Sequence, residues 1–106
     1  MAAEILRVAV SDSGPETVLT VTGEVNLTTS PGLRRELIRL DGKAPARLVV
    51  DLSGVDYIDS SGIATLLEAL QRARGQRRQF LLRGLRPKLM DVFRLARLDE
   101  VFPIAD

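Results

Sequence analysis

The sequence predicts a single α/β domain: a mixed, mostly parallel sheet of about five strands with three to four helices. Its length of 106 residues is enough for one hydrophobic core. Two strand-like segments open the chain and are separated only by a short turn, which indicates a hairpin. Apolar strand-like and helix-periodic segments then alternate, which is typical of parallel strands joined by helices. The predicted order is β-β-α-β-α-β-α-β, in one domain over residues 1–106.

The first elements are defined by β-branched residues and by helix-start signals. Residues 4–10 and 17–23 have strand composition, and the turn between them contains Gly and Pro. Ser30 suits the N-cap of the first helix and Pro31 suits its first position, while Gly42 lies just beyond its end.

The middle of the chain predicts a buried strand followed by a second helix. Residues 47–52 are a continuous apolar run between polar ends, as in a strand covered on both faces. Residues 53–58 then predict a loop, in which we expect Tyr57 to be part of the core. After residues 59–62, helical spacing of apolar residues begins at Ile63, and Gly75 ends the run.

The last third predicts a strand, a helix and a final strand. Residues 80–82 are apolar, Pro87 starts the third helix, and Val101 and Phe102 form the last strand. Three helices cannot cover both faces of five strands, so we expect one face to be open or only thinly covered.

Composition excludes most routes to catalysis. The chain has no cysteine and no histidine, which rules out disulfides, zinc sites of the usual kind and a Ser-His-Asp relay. The net charge of +1 predicts no general affinity for nucleic acid. No apolar run approaches the roughly 18 residues of a membrane span, and residues 1–10 lack the features of a signal peptide. We therefore expect a cytoplasmic protein with no cofactor, no metal and no direct membrane insertion.

Basic residues accumulate towards the C-terminus. Residues 71–106 carry nine basic and four acidic side chains, and four arginines gather at the end of the second helix: Arg72, Arg74, Arg77 and Arg78. Cations at a helix C-terminus are stabilised by the helix dipole, which explains them without a partner. The alternative is a docking surface for an acidic partner.

The segment that carries chemistry is the junction of the buried strand and the second helix. Asp59, Ser60, Ser61 and Gly62 lie where the first N–H groups of a helix have no internal partner. A phosphoryl group on a serine there would find N–H donors aimed at it and would add roughly −1.5 to −2 of charge. Alternatively, a serine caps the helix and the glycine permits tight packing.

This junction resembles the signature of STAS domains, in which a strand ending Asp-Leu-Ser leads to Asp-Ser-Ser-Gly and an apolar helix. Three further segments match the family in order: residues 22–26 at the end of the second strand, residues 30–34 at the start of the first helix, and residues 84–93 followed by residues 98–99. Together they extend over nearly the whole chain. The predicted fold is therefore a single STAS-like domain.

The resemblance implies an anti-sigma factor antagonist, a binding module and not an enzyme. Such a protein sequesters an anti-sigma factor that is also a serine kinase of GHKL type, and regulates transcription in this way. The kinase phosphorylates the serine after the aspartate, here Ser60, and so releases the antagonist, while a PP2C-type phosphatase resets it. The resemblance also implies a partner-binding surface made of Glu24, Asn26, Asp59, Ser61, Gly62, Ile63, Ala64 and Thr65.

Two alternatives come from other functional classes. Asn26 stands where the family commonly has Asp, and Ala64 where a second Gly is common. Asn26 and the Ala64-Thr65 pair support a STAS subunit of a phospholipid ABC transporter, which would bind the cytoplasmic ATPase. Ser60 supports the antagonist instead, because transporter-associated members of the family often lack a serine there. A small hydrolase with Ser60 or Ser61 as nucleophile would need a lysine or carboxylate base in the absence of histidine. The sequence leaves the oligomeric state between monomer and weak dimer.

Overall fold

A computed structural model describes residues 6–105, in which five strands form one sheet and three α-helices pack against it. The strand order across the sheet is β1 to β5, the same as the order along the chain. β1 pairs antiparallel with β2, and the other pairs are parallel, so the predicted mixed α/β class is confirmed. The elements are β1 (Arg7–Ser13), β2 (Glu16–Val25), α1 (Ser30–Asp41), β3 (Arg47–Ile58), α2 (Ser60–Gly75), β4 (Gln79–Arg83), α3 (Pro87–Leu95), a 3₁₀ helix (Leu98–Glu100) and β5 (Ile104–Ala105).

The opening hairpin is tighter than predicted. Ser13 pairs with Glu16, which leaves only Gly14 and Pro15 in the turn. Gly14 has φ +63°, a conformation that glycine adopts without a steric penalty. The first strand was expected over residues 4–10; it continues to Ser13, and its predicted start lies outside the described residues.

β3 is twice as long as its apolar run predicted. It continues from Arg47 to Ile58, because β2 keeps pairing with it as far as Val25 opposite Ile58. The register shifts along this stretch, and Gly54 allows the close approach: a Cβ there would lie 2.8 Å from Thr22 Oγ1. The residues expected to form a loop are therefore strand, and only Asp59 separates β3 from α2.

The last strand lies three residues beyond its predicted position. Val101 and Phe102 were expected to form it, but Phe102 is a buried core residue whose N–H donates to the Leu98 carbonyl at 2.8 Å. Its ring centroid lies 5.9 Å from that of Phe93 on α3. Packing of the two rings takes Phe102 away from the sheet, and β5 begins only at Ile104.

All three helices cover the same face of the sheet. They contribute to one core with the side chains of Leu19, Val50 and Leu82 from the three central strands. Val18 and Val49 are buried too, but they lie outside this core, because neighbouring residues of a strand point to opposite faces. This one-sided arrangement agrees with the expectation of an open or thinly covered face.

Candidate functional site

The junction between β3 and α2 is organised by Asp59, the N-cap residue of α2. Its backbone is extended, with φ −105° and ψ −173°. Carboxylate Oδ1 accepts hydrogen bonds from the N–H of Ser61 at 2.9 Å and of Gly62 at 3.2 Å. These are two of the N–H groups that a helix leaves without an internal partner, so Asp59 caps the helix, whereas a serine was the cap suggested by the sequence.

Asp59 also joins the helix start to the loop before α1. Its Oδ2 accepts a hydrogen bond from the Leu27 N–H at 3.2 Å, and its own N–H donates to the Val25 carbonyl at 3.0 Å. The Ser61 hydroxyl donates to Oδ1 at 2.6 Å. This hydroxyl is the main cause that lowers the pKa of Asp59, and the N–H donors of Gly62, Ser61 and Leu27 lower it further. The carboxylate therefore fixes two loops at one point.

Asn26 closes the loop between β2 and α1. Its side-chain oxygen accepts from the N–H groups of Thr28 at 2.9 Å and Thr29 at 3.0 Å, and its N–H donates to Thr29 Oγ1 at 2.9 Å. Its carbonyl accepts from the Ser30 N–H at 2.8 Å. Ser30 was predicted to be the N-cap of α1 but is the first helical residue, because the Asn26 turn places Thr29 at the cap position.

Ser60 is exposed at the first position of α2. A phosphoryl group on it was expected to find free helix N–H donors. For the N–H groups of Ser61 and Gly62 this expectation is wrong, because both already donate to Asp59. A phosphate at Ser60 would instead meet the adjacent carboxylate and raise the negative charge of this corner.

Two residues of the predicted partner surface belong to the interior. Gly62 is buried, and a Cβ there would lie 2.5 Å from Val25 Cγ1 and 2.6 Å from Ile58 Cγ1. Thr65 is buried as well, and its hydroxyl donates to the Ser61 carbonyl at 2.9 Å. Both residues position the start of α2 and offer little surface to a partner.

The other predicted residues form a continuous accessible surface at this corner. Glu24 and Ala64 are exposed, while Asn26, Asp59, Ser61 and Ile63 are half-buried. Asn26 Nδ2 lies 3.5 Å from Glu24 Oε2, and Leu27 joins this loop to Asp59. We call the set of accessible residues here the Ser60 surface: Glu24, Asn26, Leu27, Asp59, Ser60, Ser61, Ile63 and Ala64.

Leu27 is the member of the Ser60 surface that the sequence did not indicate. Its side chain is 77% exposed, although its backbone N–H is held by Asp59. Leu27 is a single apolar residue between Asn26 and Thr28 and belongs to no periodic pattern. The only sequence signal that could have indicated it is its position in a turn, directly after the STAS-like segment at residues 22–26. A single exposed leucine is common on protein surfaces, but the link to Asp59 means that a partner docking at this corner would contact Leu27.

Tyr57 is a second residue whose place differs from the prediction. It was expected in the core, but it is 51% exposed. Because β3 continues to Ile58, the side chains of these two neighbouring residues point to opposite faces of the strand. Ile58 therefore lies in the core and Tyr57 at the surface.

The chemistry of the junction suits capping and binding. A carboxylate with a lowered pKa is a weaker base, so Asp59 is poorly suited to activate the Ser61 hydroxyl that it holds. Among residues 6–105, no cluster of three or more acidic side chains has the arrangement of a metal site. Over the same residues, no helix combines the length and apolar character needed to cross a membrane.

Comparison with known proteins places the chain in a family. The family model described as "Mlab, STAS domain" matches residues 8–104. BtrV of Bordetella bronchiseptica, named as a candidate anti-sigma factor antagonist, is 31% identical over 84 residues, or 79% of this chain and 72% of that protein. The anti-sigma-B factor antagonist of Listeria monocytogenes is 29% identical over 84 residues, covering 79% of this chain and 74% of that protein. The chain belongs to the STAS domain family.

A solved structure agrees with this assignment. The crystal structure of an anti-sigma factor antagonist from Mycobacterium paratuberculosis matches with a TM-score of 0.88 at 27% identity. The match covers 97% of this chain and 87% of the other. The resemblance inferred from the four sequence segments is thereby confirmed.

Proposed function

We propose that this protein is an anti-sigma factor antagonist that is switched by phosphorylation of Ser60. It sequesters an anti-sigma factor when Ser60 is unmodified and releases it when Ser60 carries a phosphate. The observation that carries the proposal is the exposed position of Ser60, directly after the helix cap Asp59, which also holds the loop of the exposed Leu27. The names of the two curated relatives support the class of partner.

The switch follows from charge at the Ser60 surface. Asp59 already keeps a negative charge at the helix start, and a phosphate on Ser60 would add roughly −1.5 to −2 next to it. Because Asp59 occupies the N–H donors of Ser61 and Gly62, the phosphate gains little compensation from them. The added charge would therefore repel a partner that contacts this corner, without requiring the fold to change.

The partner in this proposal is an anti-sigma factor that is also a serine kinase of GHKL type. The kinase supplies the ATP, so this chain is its ligand and its substrate and performs no turnover. A PP2C-type phosphatase removes the phosphate and restores binding. These reactions take place in the cytoplasm, where the sigma factor acts.

The first test is affinity purification of the chain from its native host, with mass spectrometry of the bound proteins and of the peptide that contains Ser60. We expect a serine kinase in the eluate and phosphate on Ser60 in part of the pool. Incubating the purified pair with ATP should then phosphorylate Ser60 and dissociate the complex.

Two variants separate the switch from a general effect of charge. Ser60→Glu should weaken kinase binding at least tenfold, because it places a carboxylate at the switch position. Gln71→Glu adds the same charge at an exposed position of the same helix and should leave binding within twofold. Equal binding by both variants would contradict the proposal.

The transporter subunit remains the second candidate, because Asn26 and Ala64 depart from the usual antagonist pattern. It predicts a transporter ATPase and permease in the same eluate, with Ser60 never modified. It also predicts that Ser60→Ala binds its partner as the wild type does and that ATP has no effect on the complex.

A further inference from the structure

A cavity of about 370 Å³ lies at the end of the sheet where β3 and β4 begin. Arg47 and Gln79, the first residues of these strands, line it together with residues from the last turns of α2. α2 has 16 residues and so spans about 24 Å at 1.5 Å per residue. Because Ser60 begins this helix, the cavity is remote from the Ser60 surface.

The walls of the cavity combine positive charge with apolar surface. Cavities of this size take small molecules, and they bind most tightly when apolar walls surround a few directed polar groups. Three arginines line it together with four apolar residues: Arg47, Arg74 and Arg78 with Leu70, Phe80, Leu81 and Pro103.

Arg78 is a largely buried cation in the wall of the cavity. Its side chain is only 9% exposed, and its Nε is closed off from solvent without a hydrogen-bond partner. Its Nη2 donates to Gln76 and, at 3.4 Å, to Asp41 Oδ1. Asp41 is itself held by Arg72, whose Nε lies 2.5 Å from Oδ2. Because two guanidinium groups share the single carboxylate of Asp41, Arg78 leaves positive charge at the cavity that an anion would balance.

Arg47 and Arg74 are also bound only weakly by the protein. Arg47 Nε lies 3.4 Å from Glu16 Oε2, and Arg74 Nη2 donates to the Val101 carbonyl at 3.4 Å. Both side chains are largely exposed, and such long surface contacts contribute little stability. Each guanidinium carries five N–H donors, so both can turn towards a ligand at low cost.

We propose that this cavity binds a small organic oxyanion, either a phosphate monoester or a carboxylate, with a compact apolar body. Guanidinium forks bind both head groups through paired, charge-assisted hydrogen bonds. Pro103 and the small accessible parts of Leu70 and Phe80 would contact the apolar body.

The test is NMR titration of the ¹⁵N-labelled full chain with four probes: phenyl phosphate, benzoate, inorganic phosphate and benzyl alcohol. We expect phenyl phosphate or benzoate to shift the amide signals of Gln79 and Phe80 and to saturate in the low millimolar range or below. The tighter of the two identifies the head group. Inorganic phosphate should bind at least fivefold more weakly, and benzyl alcohol should leave these signals unchanged.

A pair of exposed arginines provides the control. Arg74→Gln removes a guanidinium from the cavity and should weaken binding about tenfold, the effect of one lost charge-assisted hydrogen bond. Arg77→Gln removes the same charge three residues away, outside the lining, and should change binding less than twofold. Equal losses in both variants, or no saturation with either aromatic anion, would overturn the proposal.

Discussion

At the scale of single residues, the hydroxyl of Ser61 controls the acidity of Asp59. It donates to Asp59 Oδ1 at 2.6 Å and is the main reason why the pKa of this carboxyl is lowered. We predict that Ser61→Ala raises the pKa of Asp59 towards the ordinary value of about 3.9. Carbon-detected NMR titration of the carboxyl group measures this directly.

The same interaction makes the stability of the fold depend on pH in a direction that can be predicted. A carboxyl with a lowered folded-state pKa stabilises the fold above its unfolded pKa, and this contribution is lost as pH falls through the folded value. The difference in unfolding free energy between wild type and Asp59→Asn should therefore be larger at pH 6 than at pH 2.5. A constant difference, from urea unfolding at the two pH values, would contradict the assignment.

Leu27 gives a second prediction at this scale. If the Ser60 surface binds the proposed partner, Leu27→Ser should weaken the complex about tenfold, because burying an exposed leucine side chain in an interface contributes about 1.5–3 kcal/mol. Leu95→Ser is the matched control, since Leu95 is also highly exposed but lies at the end of α3. Calorimetry of both variants with the purified partner should show less than a twofold change for the control.

At the scale of elements, the start of α2 depends on the absence of a side chain at Gly62. A methyl group there would overlap Val25 and Ile58, so we predict that Gly62→Ala costs about 1–3 kcal/mol of stability. Gly75, the last residue of the same helix, has open space where a Cβ would be. Gly75→Ala should be neutral or slightly stabilising, and urea unfolding of the pair provides the comparison.

The elements also show what sequence could and could not predict. The start of α3 and the end of α2 were predicted to the residue, because Pro87 and Gly75 carry local signals. The end of β3 was not predicted, because its last six residues, 53–58, form a strand only through their pairing with β2.

The candidate site likewise combines contacts between residues near in sequence, which can be predicted, with contacts that only the fold creates. A cap at the start of α2 was expected from local residues, although Asp59 and not a serine provides it, whereas the Leu27 contact with Asp59 crosses 32 positions of sequence. Burial of Gly62 and Thr65 depends on where α2 lies over β2 and β3, which no sequence spacing specifies.

At the scale of the whole molecule, one core connects all three helices to the sheet. We predict that the chain unfolds in a single cooperative transition, with an enthalpy of about 70 kcal/mol for a domain of this length. Differential scanning calorimetry tests this through equality of the calorimetric and van't Hoff enthalpies. Two resolved transitions would contradict the expectation that residues 1–106 are one domain.

The strand order β1 to β5 has a consequence for how the protein is made. Each strand pairs with the one synthesised just before it, so no strand has to be inserted between two that are already paired. A chain leaving the ribosome can therefore enlarge its sheet from one edge, strand by strand, and each new strand finds a template already in place. The two-residue β5, the last part of the sheet to emerge, completes that edge.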